Sequence, residues 1–153
     1  MEKTYDLGFF GGDSMKTRKV CTIIMVFMAV VLIVGAVVWA NTPERKAFRF
    51  VDQHSTELSE ILDNEQPIPV TLSGKHYNNW DAEHPMDEFI LHTWGNTYYG
   101  CYYSPDDIPL AFQNYNVSLI ADGKDCWQWS VQGDNQGITK KIADKWYYFE
   151  ASF

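Results

Sequence analysis

Cysteine is scarce in this sequence, with three in 153 residues. That excludes a small disulfide-stapled scaffold, which needs several bridges. Cys21 lies inside an apolar run, so Cys101 and Cys126 are the pair that could join. In an oxidising compartment a bridge closing roughly 25 residues would add about 3 kcal/mol. The alternative is two free thiols behaving as small apolar side chains. Positive charge is also scarce where partners would meet it. Residues 41–153 carry eight Lys or Arg against seventeen Asp or Glu, a net charge of −9, whereas residues 1–40 stand at +1. So acidic a domain repels phosphate backbones and anionic lipid headgroups, which excludes nucleic acid as a partner.

Signatures of catalysis are missing too. Ser104 sits in a Ser-Pro turn, no Gly-x-Ser-x-Gly surrounds any serine, and no Gly-rich phosphate loop is present. His76, His84 and His92 recur at a spacing of eight among Asp81, Glu83, Asp87 and Glu88. Metal ligands converge at short fixed spacings, and this is not one of them. Asp106, Asp107, Asp122 and Asp125 are loop acids without an EF-hand pattern. No metal or other cofactor is expected, and an enzyme is not the leading expectation. The rival that survives is a small extracytoplasmic hydrolase using a His/acid pair.

What the chain does have is one uncharged stretch, Val20 to Trp39. As a helix it would be about 30 Å long, the thickness of a bilayer's hydrocarbon core. Lys16, Arg18 and Lys19 precede it closely, while Arg45, Lys46 and Arg49 follow several residues out beside Glu44. The closer cluster predicts a cytoplasmic N-terminus, a transmembrane signal-anchor over residues 20–40, and an extracytoplasmic domain over residues 41–153. Trp39 would lie at the outer interface. The alternative is a cleaved signal, with secretion after Ala40 behind Val38 and Trp39, although the run is longer than such peptides use. Gly35, Ala36 and Ala40 do not make a Gly-x-x-x-Gly helix-pairing motif.

Within the cytoplasmic segment 1–19, Gly11-Gly12-Asp13-Ser14 can be encoded by a strong bacterial ribosome-binding sequence just before Met15. We therefore expect translation in a bacterium to start at Met15, with residues 1–14 an over-extended start.

Past the membrane stretch, Thr42-Pro43-Glu44 predicts a helix start. Ala47, Val51, His54, Leu58, Ile61 and Leu62 make one apolar stripe, widened by Phe48 and Phe50, that runs to about Asp63. From Ile68 the period changes to two. Ile68–Leu72 is a possible edge strand, Lys75–Trp80 another, and Glu88–Trp94 returns through Gly95-Asn96 as Thr97–Tyr103. That turn sets His92 against Tyr99, Ile90 against Cys101 and Phe89 against Tyr102. Phe89, Leu91 and Tyr102 then share the core face, with Ile90, His92, Tyr99 and Cys101 on the other.

Leu110 to Phe112 is expected to tuck into the domain edge. Val117–Ala121 and Cys126–Val131 form a second hairpin around Asp122-Gly123-Lys124, pairing Leu119 with Trp127 and sending Trp127, Trp129 and Val131 to the core. Ile138–Ile142 and Lys145–Ser152 close the chain around Ala143-Asp144, and the last strand, aromatic on both sides, is expected inside the sheet. The fold class is α+β: one amphipathic helix on an antiparallel sheet of about five to seven strands, behind an N-terminal transmembrane helix.

Aromatics are the remaining signal. Trp80, Trp94, Tyr98, Tyr99, Tyr103 and Tyr115 cannot all be core, although a small sheet uses large side chains to build enough of one, and Trp80, Trp94, Tyr99 and Tyr103 are the ligand-contact candidates. Tyr and Trp dominate protein hot spots, and aromatic faces beside carboxylates suit sugar rings. A membrane helix, an amphipathic helix and then an antiparallel sheet resembles the layout of type IV pilins and pseudopilins. The resemblance is confined to layout. The apolar run opens Val20-Cys21-Thr22-Ile23-Ile24 without the acid of the pilin signature, and Pro43 interrupts the helix, so no pilin function is carried over. The reading is a membrane-anchored extracytoplasmic interaction domain, with a protein or an envelope glycan as partner. Mass spectrometry of the intact protein should find Met15 at its N-terminus; a peptide from residues 1–14 would contradict that start.

Overall fold

The computed structural model describes residues 13–73, 75–78, 83–114, 116–131 and 133–153. The chain divides into two units, the first ending at Ala40 and the second running Asn41–Phe153. In the first, helix α1 spans Asp13–Ala40. Its Lys19–Ala40 portion is 22 exposed residues, long and apolar enough to cross a membrane, as an anchor or a signal sequence would be. At 1.5 Å per residue it measures about 33 Å.

The second unit opens with α2, Pro43–Asp63. Pro43 takes the first helical position, where its missing N–H costs nothing. The Thr42 carbonyl accepts Lys46 N at 3.1 Å, although its side chain makes no capping bond. The helix stops where expected. Glu65 adopts a left-handed φ of 53° and Gln66 N donates to Ile61 O at 2.9 Å, which satisfies an orphan carbonyl of the last turn. Ala47, Val51, Leu58 and Leu62 of the expected stripe are buried.

Seven strands follow: β1 Lys75–Asn78, β2 Asp87–Trp94, β3 Thr97–Tyr103, β4 Ile120–Ala121, β5 Cys126–Ser130, β6 Gln136–Ala143 and β7 Trp146–Ser152. They form one open antiparallel sheet in the order β1-β2-β3-β7-β6-β5-β4. β7 is internal, as its two aromatic faces require.

Ile68–Leu72 is not a strand. Leu72 N donates to Pro69 O at 2.8 Å and a short helix α3 forms over Val70–Ser73, because the prolines fix φ without supplying a ladder donor. Trp80 lies outside the described residues.

The β2–β3 register is as expected near the turn, with Trp94 opposite Thr97 and His92 opposite Tyr99. A bulge at Leu91 then shifts it, so Ile90 faces Gly100 and Phe89 faces Cys101. The expected face assignment is overturned beyond that point. Phe89, Leu91, Tyr99 and Cys101 share the side covered by α2, while Ile90 and Tyr102 share the opposite side. Gly100 makes the shift possible: a Cβ there would land on the Phe89 carbonyl oxygen and 2.9 Å from the Phe149 ring. The second hairpin has the expected three-residue loop, displaced by one residue to Gly123-Lys124-Asp125, with Asp122 N bonded to Cys126 O at 2.9 Å. Ala121, not Leu119, therefore faces Trp127. The last turn is Asp144-Lys145 rather than Ala143-Asp144, with Ala143 opposite Trp146.

Both faces of the sheet are buried in part. On one, Ala47, Val51, Leu58 and Leu62 of α2 pack on Phe89, Cys101, Tyr103, Trp146 and Tyr148. On the other, the segment after β3 lays Leu110, Ala111 and Phe112 over Ile90, Tyr102, Tyr147, Phe149 and Trp129. This cover is pinned through the buried Tyr102 hydroxyl, which accepts Leu110 N at 2.8 Å and lies 2.7 Å from Thr139 Oγ1. A second pin is Glu88, only 1% exposed, whose Oε1 accepts Gln113 N at 2.6 Å.

Burial pushes the Glu88 carboxyl up to about 7, against the lowering effect of the Gln113 N–H. Because the folded value is raised, the stability it allows is complete below about pH 4.5 and lost as pH rises to about 7. Glu88→Gln keeps an acceptor for Gln113, so it should leave denaturant stability unchanged near pH 4 and raise it near pH 8 by up to about 3 kcal/mol. Equal stability of the two proteins near pH 8 would contradict this burial. Gly100→Ala should cost about 3 kcal/mol or more, and a melting curve like that of the parent would refute the close approach at the bulge.

Candidate functional site

The register maps the α2 side of the sheet as rows of side chains running across the strands, since directly paired residues point the same way. One row is Asn78–Asp87–Tyr103–Trp146, and the next is His76–Phe89–Cys101–Tyr148–Lys140–Cys126. Helix α2 lies over these two rows. Its first turn is tied to β6 by Lys140 Nζ to Glu44 Oε1 at 2.6 Å. Its last turn is tied to β3 by the Tyr103 hydroxyl donating to Asp63 Oδ1 at 2.6 Å. Trp146 Nε1 donates to Ser59 Oγ at 3.0 Å between them.

Among the described residues of Asn41–Phe153 no helix covers the next two rows, although Tyr99 and Ile138 pack at the edge of the α2 cluster. The third runs His92–Tyr99–Glu150–Ile138–Gln128–Ile120, and the fourth Trp94–Thr97–Ser152–Gln136–Ser130. Trp94 is 77% exposed and Ile120 66%. Gln128, Ser130 and Gln136 are exposed, and the other members are half-buried. Thr97 Oγ1 and Ser152 Oγ lie 2.9 Å apart in the middle of the fourth row. An open cavity of about 380 Å³ lies over the β5–β7 part of these rows, with Gln128, Ser130, Gln136, Ile138, Glu150 and Ser152 in its lining. Burial and the neighbouring Glu150 carboxylate hold the Tyr99 hydroxyl above its usual range, so it remains a neutral donor.

Of the four ligand-contact candidates, the structure brings Trp94 and Tyr99 onto this open half-face. Tyr103 is not there. It is fully buried under α2 and belongs to the core. Trp80 lies outside the described residues, as does Tyr115. Tyr98 lies on the opposite side, stacked on Phe112 at 5.6 Å. Sequence reasoning did not single out Glu150, Gln128, Gln136, Ser130 or Ile120. Their membership depends on the order β3-β7-β6-β5-β4, which sequence adjacency does not reveal.

The histidines scatter. His84 Nδ1 is 3.4 Å from Asp106 Oδ2 in the loops, and His92 sits 5.9 Å from the Tyr99 ring. His76 Nε2 is 2.7 Å from Oδ1 of the fully buried Asp87, which also accepts Asn78 Nδ2 at 3.0 Å. This pair borders a second cavity of about 380 Å³, walled by Leu62, Pro67 and Ile68 and by Glu65 and Gln66. Among the described residues no cluster of three or more His, Cys, Asp or Glu could hold a metal ion.

Ser104 is fully buried, and its Oγ accepts Ile108 N at 3.3 Å, a structural use. Cys101 and Cys126 are both free. They stand on β3 and β5 with β7 and β6 between, about 14 Å apart at ~4.8 Å per strand, beyond disulfide reach. Comparison with known protein families, with curated proteins and with solved structures finds no match.

Tyr103→Phe, which removes the bond to Asp63, should lower stability by about 1 kcal/mol while leaving the open half-face unaltered. A change in the chemical shifts of Trp94 and Tyr99 in that variant would contradict the division of the sheet into covered and open halves.

Proposed function

We propose that residues 41–153 are a binding domain held at the outer surface of a bacterial membrane by residues 20–40, with the N-terminus inside. Its contact surface is the half of the sheet that α2 leaves open. The observation that carries this reading is Trp94, 77% exposed at the end of β2, on the same face as Tyr99 and the hydrogen-bonding side chains of the third and fourth rows. Burying an indole stabilises a contact by far more than leaving it in water, and aromatic anchors of this kind dominate recognition energies. The partner is a protein or an envelope glycan. The basic cluster of Lys16, Arg18 and Lys19 immediately before Val20 supports the orientation.

A hydrolytic reading draws on the His76–Asp87 pair, where a buried carboxylate fixes the imidazole at the edge of a cavity. No Ser, Thr or Cys lines that cavity among the described residues, so the imidazole would have to activate water. Hydrolysis of any ester or glycoside that is abolished in His76→Ala would support it.

A photo-reactive benzophenone residue placed at Trp94 or Gln136 in living cells should give a discrete cross-linked adduct, whereas one at Glu57 on the outer side of α2 should not. Absence of adducts from both sheet positions, or equal adducts from Glu57, would overturn the assignment of the surface. Residues 41–153 should stay with carbonate-washed membranes, and their recovery free in the medium would overturn the anchor.

A further inference from the structure

We infer that the occupant of the open half-face is a neutral, extended sugar chain lying across the strands; this rests on the binding reading above. Charge is the first argument. The third and fourth rows contain no Lys or Arg, one carboxylate, Glu150, and one imidazole, His92. An anionic polymer would meet Glu150 and a domain of net charge −9 with no cation to receive it. A basic protein would find Glu150 and the Asp122 carboxylate that already accepts Gln128 Nε2, where recognition of cations calls for several free carboxylates.

Composition is the second argument. The centres of protein–protein interfaces are dry and depleted in serine. Here Thr97, Ser152, Gln136 and Ser130 run as an unbroken hydroxyl and amide row. That inventory supplies both donors and acceptors to groups that are themselves both, which describes sugar hydroxyls. A side-chain amide or the Glu150 carboxylate can engage two adjacent hydroxyls at once. Trp94 at one end of the row offers an uncovered ring face to the C–H side of a pyranose.

Spacing is the third. Crossing from Trp94 on β2 to Ser130 on β5 traverses four strand intervals, about 19 Å at ~4.8 Å each. An extended β-linked pyranose chain advances by nearly one strand interval per sugar, so successive sugars meet successive strands. Trp94, Thr97, Ser152, Gln136 and Ser130 would then each address a separate sugar, with Tyr99, Glu150 and Gln128 flanking them. The open cavity of about 380 Å³ over β5–β7 has room for a pyranose ring and its substituents.

The test is calorimetry of the full chain in nanodiscs, free of sugar-headed detergent, against linear oligomers of glucose, N-acetylglucosamine, xylose and mannose, with oligogalacturonate as the anionic control. At least one neutral oligomer should bind, with little change between about 0.05 and 0.5 M salt. Its affinity should fall about tenfold or more in Trp94→Ala and in Gln136→Ala, both surface changes whose fold is checked by their melting curves. Failure of every neutral oligomer to bind, preference for oligogalacturonate, or binding that survives both substitutions would overturn the inference. A cross-link from position 94 to a protein, together with no oligomer binding, overturns the sugar chain and leaves the binding surface standing. Loss of the position-94 and position-136 cross-links as well removes both.

Discussion

A single helix is too narrow for the sheet it covers. Seven strands at ~4.8 Å spacing make a sheet about 29 Å wide, and strands of seven or eight residues are about 25 Å long. Helix α2 is about 10 Å across with its side chains, and its Glu44 end is tied to Lys140 of β6 while its Asp63 end is tied to Tyr103 of β3. It therefore buries two rows of the sheet and only the edge of a third, where Tyr99 and Ile138 pack against the α2 cluster. Phe89, Cys101, Tyr103, Trp146 and Tyr148 fill those rows. The half beyond them, from Trp94 and Tyr99 to Ile120, is the part of this face that α2 does not cover. A sheet face left open is normally polar. This one is polar along one row and also carries an exposed tryptophan on β2 and, five strands away, an exposed isoleucine on β4.

The other side of the sheet solves the same problem differently. It is closed by an irregular segment, whose backbone groups must be satisfied when buried. Tyr102 and Glu88 do that work from the strands. The Tyr102 hydroxyl receives the Leu110 N–H, and the Glu88 carboxylate receives the Gln113 N–H within a single 3-10 turn where Gln113 and Asn114 both have φ of 52°. Asp107 fastens the start of the same segment to the last hairpin by accepting Lys145 N at 2.9 Å and pairing with Lys141. Apolar contact alone would not fix such a segment in one conformation. The cost is a buried carboxyl that resists ionisation near neutral pH.

Much of the fold is legible in the residues themselves. The amphipathic stripe of α2, its end near Asp63, the Gly95-Asn96 turn and the internal position of Trp146–Phe149 all follow from local pattern. The register beyond Leu91 does not follow from the turn, because a bulge reverses the alternation. Gly100 in mid-strand is the mark it leaves in the sequence. Ile68–Leu72 alternates like a strand but turns into a helix, since Pro67 just before it and Pro69 within it offer no ladder donors. For the site, Trp94 and Tyr99 stand out as aromatics in a hairpin, and Tyr103 looks the same until the buried bond to Asp63 is seen. Glu150 becomes a neighbour of Tyr99, and Ser152 joins Thr97 to Gln136, only through a strand order that is not the order of the chain.

The central claim is that half of one sheet face is built open and is filled by a partner in place. Oxidative footprinting of the six tryptophans in purified full-length protein and in intact cells tests it most directly. The account predicts that Trp94 oxidises readily in the purified protein while Trp129 and Trp146 do not, and that Trp94 becomes protected in cells. A slow-reacting Trp94 in the purified protein, or equal reactivity in both settings, would contradict it.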